Sequence, residues 1–107
     1  MSNSNVIVIR PGLALPKAEL ESLCTRFEVA ELSLFGSSAK LSYRDDSDVD
    51  ILVQFKDGAR IGLIRFITLM DELSDRLGCK VDLVSKPGLN SEIRAEVLAS
   101  SRVLYAA

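Results

Sequence analysis

Two kinds of hydrophobic spacing alternate along the chain and divide it into short secondary-structure elements. Apolar residues three and four positions apart are typical of a helix with one buried side, whereas short alternating or continuous apolar runs predict strands. Helices are predicted at residues 16–27, 61–77 and 91–99. Strands are predicted at residues 31–35, 48–55, 80–84 and 103–105. This order of elements predicts one α/β (α+β) domain, in which a small mixed sheet packs against helices.

The N-terminal part of the chain has a less regular pattern. We expect residues 1–16 to form a loose segment that precedes a single domain over residues 17–107. The apolar run at residues 6–9 is a candidate edge strand of the sheet, and Pro11 and Gly12 end it.

The longest predicted helix carries a clear apolar stripe, and Gly78 follows it at the position where helices commonly end. The residues of this stripe are predicted to face the core: Leu63, Phe66, Ile67, Met70, Leu73 and Leu77. Three further apolar residues, Ile61, Ile64 and Leu69, lie off the stripe. They form either a docking patch for a partner or part of a wide buried face.

Composition limits the kinds of function that the chain can have. The 107 residues, 48% of them hydrophobic, are enough for one folded domain, and the net charge of −2 argues against binding a long nucleic acid directly. The chain contains no histidine, which excludes Ser-His-Asp and Cys-His catalysis and HExxH zinc sites. Any chemistry must therefore use carboxylates, hydroxyls, Lys, Arg or a bound ion.

The two cysteines and the N-terminus indicate a protein of the cytoplasm. Cys24 and Cys79 are far apart in sequence and are expected to be reduced and half-buried, without a zinc site or a disulfide. The first residues lack the basic stretch of a signal peptide, and the run at residues 6–9 is too short to span a membrane. We therefore expect a soluble cytoplasmic protein with no membrane association.

Three aspartates lie on predicted strands, where aspartate is unfavourable. Asp48 and Asp50 share one side of their strand, with carboxylates about 6–7 Å apart, and Asp82 lies in the middle of a later strand. Their mutual repulsion would be relieved by a cation. Oxygen ligands without histidine favour Mg²⁺ or Mn²⁺ over zinc. The alternative is that all three are ordinary surface acids at strand ends.

A second candidate feature follows the first main strand. There Gly36 and Ser37 form a turn that can present backbone N–H groups and a hydroxyl to a phosphate. Lys40 and Arg44 are close enough in sequence to add positive charge. The alternative is that both are ordinary solvated surface cations, which is the favoured interpretation for Arg44.

Two segments together resemble the signature of nucleotidyltransferases of the DNA polymerase beta superfamily. They are Leu-Phe-Gly-Ser-Ser-Ala-Lys at residues 34–40 and Asp-Ser-Asp-Val-Asp-Ile-Leu-Val at residues 46–53. The ten residues between the Gly-Ser pair and the first acid of Asp-x-Asp match the minimal nucleotidyltransferases, or MNT domains. The strand around Asp82 resembles that family's third-acid strand, and the resemblance extends over about residues 17–105.

The resemblance implies a nucleotidyltransferase fold and metal-dependent transfer of a nucleoside monophosphate from ATP or another NTP to an acceptor hydroxyl. It implies that Asp48 and Asp50 hold two Mg²⁺ ions, or Mn²⁺, and that Asp82 shares one ion and can accept the proton of the hydroxyl. It also implies that Gly36 and Ser37 hold the β- and γ-phosphates. Such a two-metal site needs no histidine.

Residue 40 departs from the family pattern, because the family usually has arginine where this chain has Lys40. Lysine keeps the positive charge but loses the planar fork that binds phosphate through two parallel hydrogen bonds.

Small MNT proteins resemble the antitoxins of prokaryotic HEPN–MNT pairs, some of which attach AMP to a tyrosine of the HEPN toxin. The resemblance therefore implies a nucleotidyltransferase that modifies a HEPN-type partner protein, with the NTP as its other ligand. The alternative is a catalytically inactive binding module that neutralises its partner by forming a complex. Transfer to a small molecule or an RNA end is less favoured, because the 107 residues leave no separate module to recognise such an acceptor.

Overall fold

A computed structural model describes residues 5–35, 48–88 and 91–107. The strands are Val6–Arg10 (β1), Leu13–Pro16 (β2), Val29–Phe35 (β3), Val49–Phe55 (β4), Val81–Ser85 (β5) and Arg102–Ala106 (β6). The helices are Lys17–Arg26 (α1), Leu63–Leu77 (α2) and Ser91–Ser100 (α3), with a 3₁₀ turn at Lys86–Gly88.

Four strands form a mixed sheet in the order β5-β4-β3-β6. Strand β4 is parallel to β5, whereas β3 is antiparallel to both of its neighbours. The connections through α2 and α3 cross the sheet in opposite directions, so right-handed crossovers place these helices on opposite faces. The predicted α+β class with a small mixed sheet is confirmed.

The main core lies between one face of the sheet and helices α1 and α2. Alternation along β4 directs Val49, Ile51 and Val53 into this core, where all three are buried. On the other face, Ser33 and Leu52 are also buried, and α3 contacts β3 there. Both faces of the sheet centre are therefore covered.

The N-terminal strands contribute to the core, unlike the loose segment that the sequence predicts. Strands β1 and β2 form a separate antiparallel hairpin, and Ile9 and Leu15 are buried members of the core cluster. Arg102 donates hydrogen bonds to the carbonyl oxygens of Val8 and Ile9, at 3.0 and 2.7 Å, and so ties the hairpin to β6. The prediction that residues 6–9 form an edge strand of the main sheet is wrong. The division of the chain into a segment over residues 1–16 and a domain over residues 17–107 stays a prediction.

Helix α2 buries a narrower and rotated stripe compared with the predicted one. Its fully buried residues are Leu69, Leu73 and Leu77, spaced four apart. Leu63 and Ile67, which were predicted to face the core, are exposed. The prediction is wrong at these positions because the contacts of α2 with β2 and β5 determine which side is buried.

Neither of the two interpretations of Ile61, Ile64 and Leu69, a docking patch or a wide buried face, applies to all three residues. Leu69 is only 1% exposed and belongs to the core, whereas Ile64 is 82% exposed. Ile61 is half-buried and precedes the helix. Leu69 is therefore not a surface residue.

Both cysteines are free thiols, as the sequence predicts. Cys24 is buried rather than half-buried, and Cys79 is half-buried. Burial, with a smaller contribution from the charge of Glu21, raises the pKa of Cys24 from 9.0 to about 12. In the described part of the chain, no helix is both long and apolar enough to cross a membrane.

Candidate active site

The three aspartates singled out in the sequence meet at one end of the sheet. Asp48 immediately precedes β4, Asp50 is the second residue of β4, and Asp82 is the second residue of β5. Asp50 and Asp82 are direct register partners in the parallel pair. Neighbouring strands are about 4.8 Å apart, so these two side chains leave the same face side by side. The fold thus brings together acids that lie more than thirty positions apart in sequence.

The hydrophobic alternation of β4 determines where these acids point. Val49 and Ile51 occupy the core face, so Asp50 between them must point to the opposite face. A shift of the register by one residue would place a carboxylate in the core and a valine on the surface. The same pattern that stabilises the sheet therefore fixes the orientation of the acid.

The carboxylates are close enough to affect one another. Burial, followed by the negative charges of Asp82 and then Asp48, raises the pKa of Asp50 above its ordinary value. Among residues 5–35, 48–88 and 91–107, one cation adjoins the group: the Nζ atom of Lys80 lies 3.7 Å from the Oδ2 atom of Asp48. The described part of the site is therefore rich in negative charge that this lysine offsets only in part.

The donor set at this end of the sheet fits a hard cation. It consists of carboxylate oxygens, which Mg²⁺ and Mn²⁺ prefer, and their mutual repulsion would be relieved by a divalent ion. However, among residues 5–35, 48–88 and 91–107, no three His, Cys, Asp or Glu side chains are grouped closely enough to hold a metal ion as they stand. The three-acid ligand set of Asp48, Asp50 and Asp82 therefore stays a prediction.

The predicted phosphate-binding residues, Gly36, Ser37, Lys40 and Arg44, lie outside the described residues. The last described residue before them is Phe35, which pairs with Asp50 across β3 and β4.

Lys80 belongs to this end of the sheet, although its sequence context predicts only the beginning of a strand. The residue lies two positions before Asp82, and the two-residue period of a strand could have placed it on the side of the acids. The backbone N–H of Val49 donates a hydrogen bond to the Lys80 carbonyl at 3.0 Å, which holds Lys80 beside the start of β4.

A groove of about 630 Å³ lies at the opposite end of β4 from the aspartates. It lies next to Phe55 and Phe66, whose rings meet edge to face with centroids 6.3 Å apart. Exposed Leu63 also borders the groove. This apolar site is therefore separate from the acidic one.

The fold and the paired strand acids define a protein of the nucleotidyltransferase class. The profile of the family described as polymerase beta, nucleotidyltransferase matches residues 19–107, and the chain belongs to that family.

Known relatives agree with this membership. The chain is 42% identical over 88 residues to the protein adenylyltransferase MntA of Thermococcus cleftensis, a match that covers 75% of this chain and 87% of that protein. It is 36% identical to a minimal nucleotidyltransferase of known structure, with a TM-score of 0.68 and coverage of 80% of this chain and 86% of the other.

A third comparison concerns the fold alone. The chain has a TM-score of 0.61 and 22% identity to a chain in the structure of a tri-AMPylated HEPN toxin in complex with its MNT antitoxin, from Shewanella oneidensis. The match covers 85% of this chain and 70% of the other. The predicted nucleotidyltransferase fold is thus confirmed.

Proposed function

We propose that the protein is a protein adenylyltransferase that transfers AMP from ATP to a hydroxyl group on a HEPN-type toxin, and that it acts in the cytoplasm as the antitoxin of that toxin. The observation that carries this proposal is the register of β4 and β5, which places Asp50 beside Asp82 on the same face of the sheet. The similarity to an archaeal MntA adenylyltransferase supports the choice of AMP and of a protein acceptor.

In this proposal the acids hold divalent metal ions. Asp48, Asp50 and Asp82 would hold Mg²⁺, or Mn²⁺, and the bound metal would neutralise phosphate charge and lower the pKa of the acceptor hydroxyl. Gly36 and Ser37 hold the β- and γ-phosphates.

The transfer itself is a substitution at the α-phosphorus of ATP. The oxygen of the acceptor hydroxyl forms a bond to this phosphorus, the bond to the bridging oxygen of pyrophosphate breaks, and pyrophosphate leaves. We assign the role of proton acceptor to Asp82. Lys40 and Arg44 supply additional positive charge for the phosphates.

The experiment compares the wild-type protein with an Asp48→Ala/Asp50→Ala double variant in the presence of Mg²⁺, ATP labelled at the α-phosphate and the HEPN-type toxin. We expect label on the toxin with the wild-type protein only. ATP labelled at the γ-phosphate should transfer no label, because the γ-phosphate leaves in pyrophosphate.

The matched control is the Asp71→Ala/Asp75→Ala double variant, which removes the same charge from exposed positions on α2. It should label the toxin like the wild-type protein. If the Asp48/Asp50 double variant still binds and neutralises the toxin as well as the wild type, and no protein is labelled, the protein is a binding module instead. Label on RNA would keep the transferase activity but contradict the protein acceptor.

A further inference from the structure

Lys80 is a positively charged residue beside the acidic end of the sheet. Its Nζ atom lies 3.7 Å from the Oδ2 atom of Asp48, and its carbonyl accepts a hydrogen bond from the N–H of Val49. The backbone of Lys80 is thus fixed by the sheet. Its side chain is 72% exposed and is therefore free to change its position when a ligand arrives.

The contact with Asp48 is looser than the ion pairs that Glu72 forms. Glu72 receives hydrogen bonds from Arg26 and Arg76, at 2.6 and 2.7 Å. At 3.7 Å, by contrast, Lys80 is beyond hydrogen-bond distance of the carboxylate oxygen. An exposed ion pair of this kind contributes little to the stability of the fold, so the lysine can easily leave the carboxylate for another partner.

The charges around Lys80 favour a phosphate as that other partner. A triphosphate that approaches Asp48, Asp50 and Asp82 meets three carboxylates, and a lysine ammonium is a common phosphate ligand that acts as a compact point charge with three donors. Lys80 lies at the margin of this group, immediately before the edge strand β5, and its long flexible side chain can leave the carboxylate for an incoming phosphate oxygen.

We propose that Lys80 is a phosphate-binding residue of this site: it binds a phosphate oxygen of the nucleoside triphosphate, and in the nucleotide-free protein it is the counter-ion of Asp48. The inference rests on the proposed function, because it requires that the acids and the nucleotide share one site. Lys80 then has opposite effects on the binding of a metal ion and on the binding of the nucleotide. Lys80 competes with a divalent cation for Asp48, and it attracts the triphosphate.

The test measures the binding of two probes by isothermal titration calorimetry. The first probe is Mn²⁺ without nucleotide, and the second is the non-hydrolysable ATP analogue AMP-PNP with Mg²⁺. In a Lys80→Met variant we expect Mn²⁺ to bind about fivefold more tightly and AMP-PNP about fivefold more weakly, the range expected for one partly screened charge. A Lys80→Arg variant should stay within about twofold of the wild type for both probes, because the charge is retained.

Lys86→Met is the matched control, since Lys86 pairs with Glu31 at the other end of the same strands. It should leave both affinities unchanged. Thermal unfolding of each variant checks that the fold is intact, which the exposure of Lys80 predicts. A Lys80→Met variant that weakens both probes, or changes neither, overturns the inference.

The same titrations separate this inference from the proposed function. If the wild-type protein binds Mn²⁺ and AMP-PNP and an Asp50→Asn variant loses Mn²⁺ binding, the shared site stands whatever Lys80→Met does. If the wild-type protein binds neither probe, the proposed function fails and the role of Lys80 is refuted with it.

Discussion

Carboxylates lie at both ends of one face of the sheet formed by β3, β4 and β5. The two ends differ in how closely these carboxylates are paired with cations. At the end where β4 finishes, Glu31 is paired with Lys86, whose Nζ atom lies 3.3 Å from the Oε1 atom of the glutamate. The same ammonium group also donates to the side-chain oxygen of Gln54 at 3.4 Å. The negative charge at this end is therefore matched within the fold, in a partly buried pair.

At the end where β4 begins, the balance is different. Among the described residues, the one cation in contact with the three aspartates is Lys80, whose Nζ atom lies 3.7 Å from Asp48. Burial together with the neighbouring acids raises the pKa of Asp50. Glu31 shows that the fold can neutralise a carboxylate on this face, whereas the part of the chain that the structure describes supplies only the 3.7 Å lysine contact for the three aspartates. Such an arrangement costs stability in the free protein and is favourable only when a cation binds.

The largest effect is expected when one charge is removed from the end that carries Asp48, Asp50 and Asp82, which we call the unmatched end; the end with Glu31 and Lys86 is the matched end. An Asp50→Asn variant keeps the size and shape of the side chain but loses a metal-ligating carboxylate. We expect nucleotidyl transfer to fall about a thousandfold, because charge stabilisation by metal contributes several kcal/mol to such a reaction. The measurement is the initial rate of AMP transfer to the toxin at saturating ATP.

The equivalent change at the matched end provides the control. A Glu31→Gln variant also neutralises one strand carboxylate and should keep the wild-type transfer rate within about twofold. An equal loss of activity in both variants would mean that the two ends do not differ in the way the structure indicates.

A second and smaller expected effect is the stabilisation of the folded protein by Mg²⁺. If the acidic end binds Mg²⁺, a concentration one hundred times the dissociation constant should stabilise the wild-type protein by about 2.7 kcal/mol. The Asp50→Asn variant should show much less stabilisation, whereas Glu31→Gln should respond like the wild type. Thermal unfolding in increasing Mg²⁺ measures this, and an equal response of Asp50→Asn and the wild type would contradict a site at these acids.

Local patterns predicted the acidic end of the sheet well, because strand alternation acts over a few neighbouring residues. The apolar partners of Asp50 fix its face, and the Asp50–Asp82 pairing follows once β4 and β5 are parallel neighbours. For Lys80, the two-residue spacing from Asp82 indicates only the side of the sheet, whereas its contact with Asp48 follows from the pairing of β4 with β5.

Features set by tertiary packing were harder to predict. The apolar side of helix α2 is wider than the part that is buried, so its sequence does not specify that Leu69 is buried while Leu63 and Ile64 are exposed. Likewise, the run at residues 6–9 resembles an edge strand of any sheet, and only its pairing with β2 identifies the separate hairpin. In both cases the partner element, rather than the local pattern, determines the outcome.

A third prediction concerns the stability of the matched end. Glu31→Gln should destabilise the protein by about 1 kcal/mol, because it weakens a partly buried ion pair with Lys86. Chemical denaturation at neutral pH measures the free energy of unfolding. A Lys86→Met/Glu31→Gln double variant completes the cycle, and strict additivity of the two single changes would show that the pair contributes nothing.

The smallest effect is a pH dependence at the unmatched end. Because the pKa of Asp50 is raised in the folded protein above the ordinary value of 3.8, the folded state binds this proton more tightly than the unfolded chain does. The metal-free protein should therefore lose stability as the pH rises from about 3.8 through the folded-state pKa, with no further loss from this group above it. The free energy of unfolding of the wild type, minus that of Asp50→Asn, isolates this contribution and should fall across that range.

Two comparisons separate this effect from other titrations. The Asp71→Asn variant, which changes an exposed acid on α2, should follow the pH dependence of the wild type. Mg²⁺ should reduce or reverse the loss, because the metal binds the charged form of Asp50 and so lowers its pKa. A wild-type minus Asp50→Asn difference that rises with pH in the absence of metal would mean that a cation of the protein itself already stabilises the charged Asp50, and the contrast with Glu31 would then disappear.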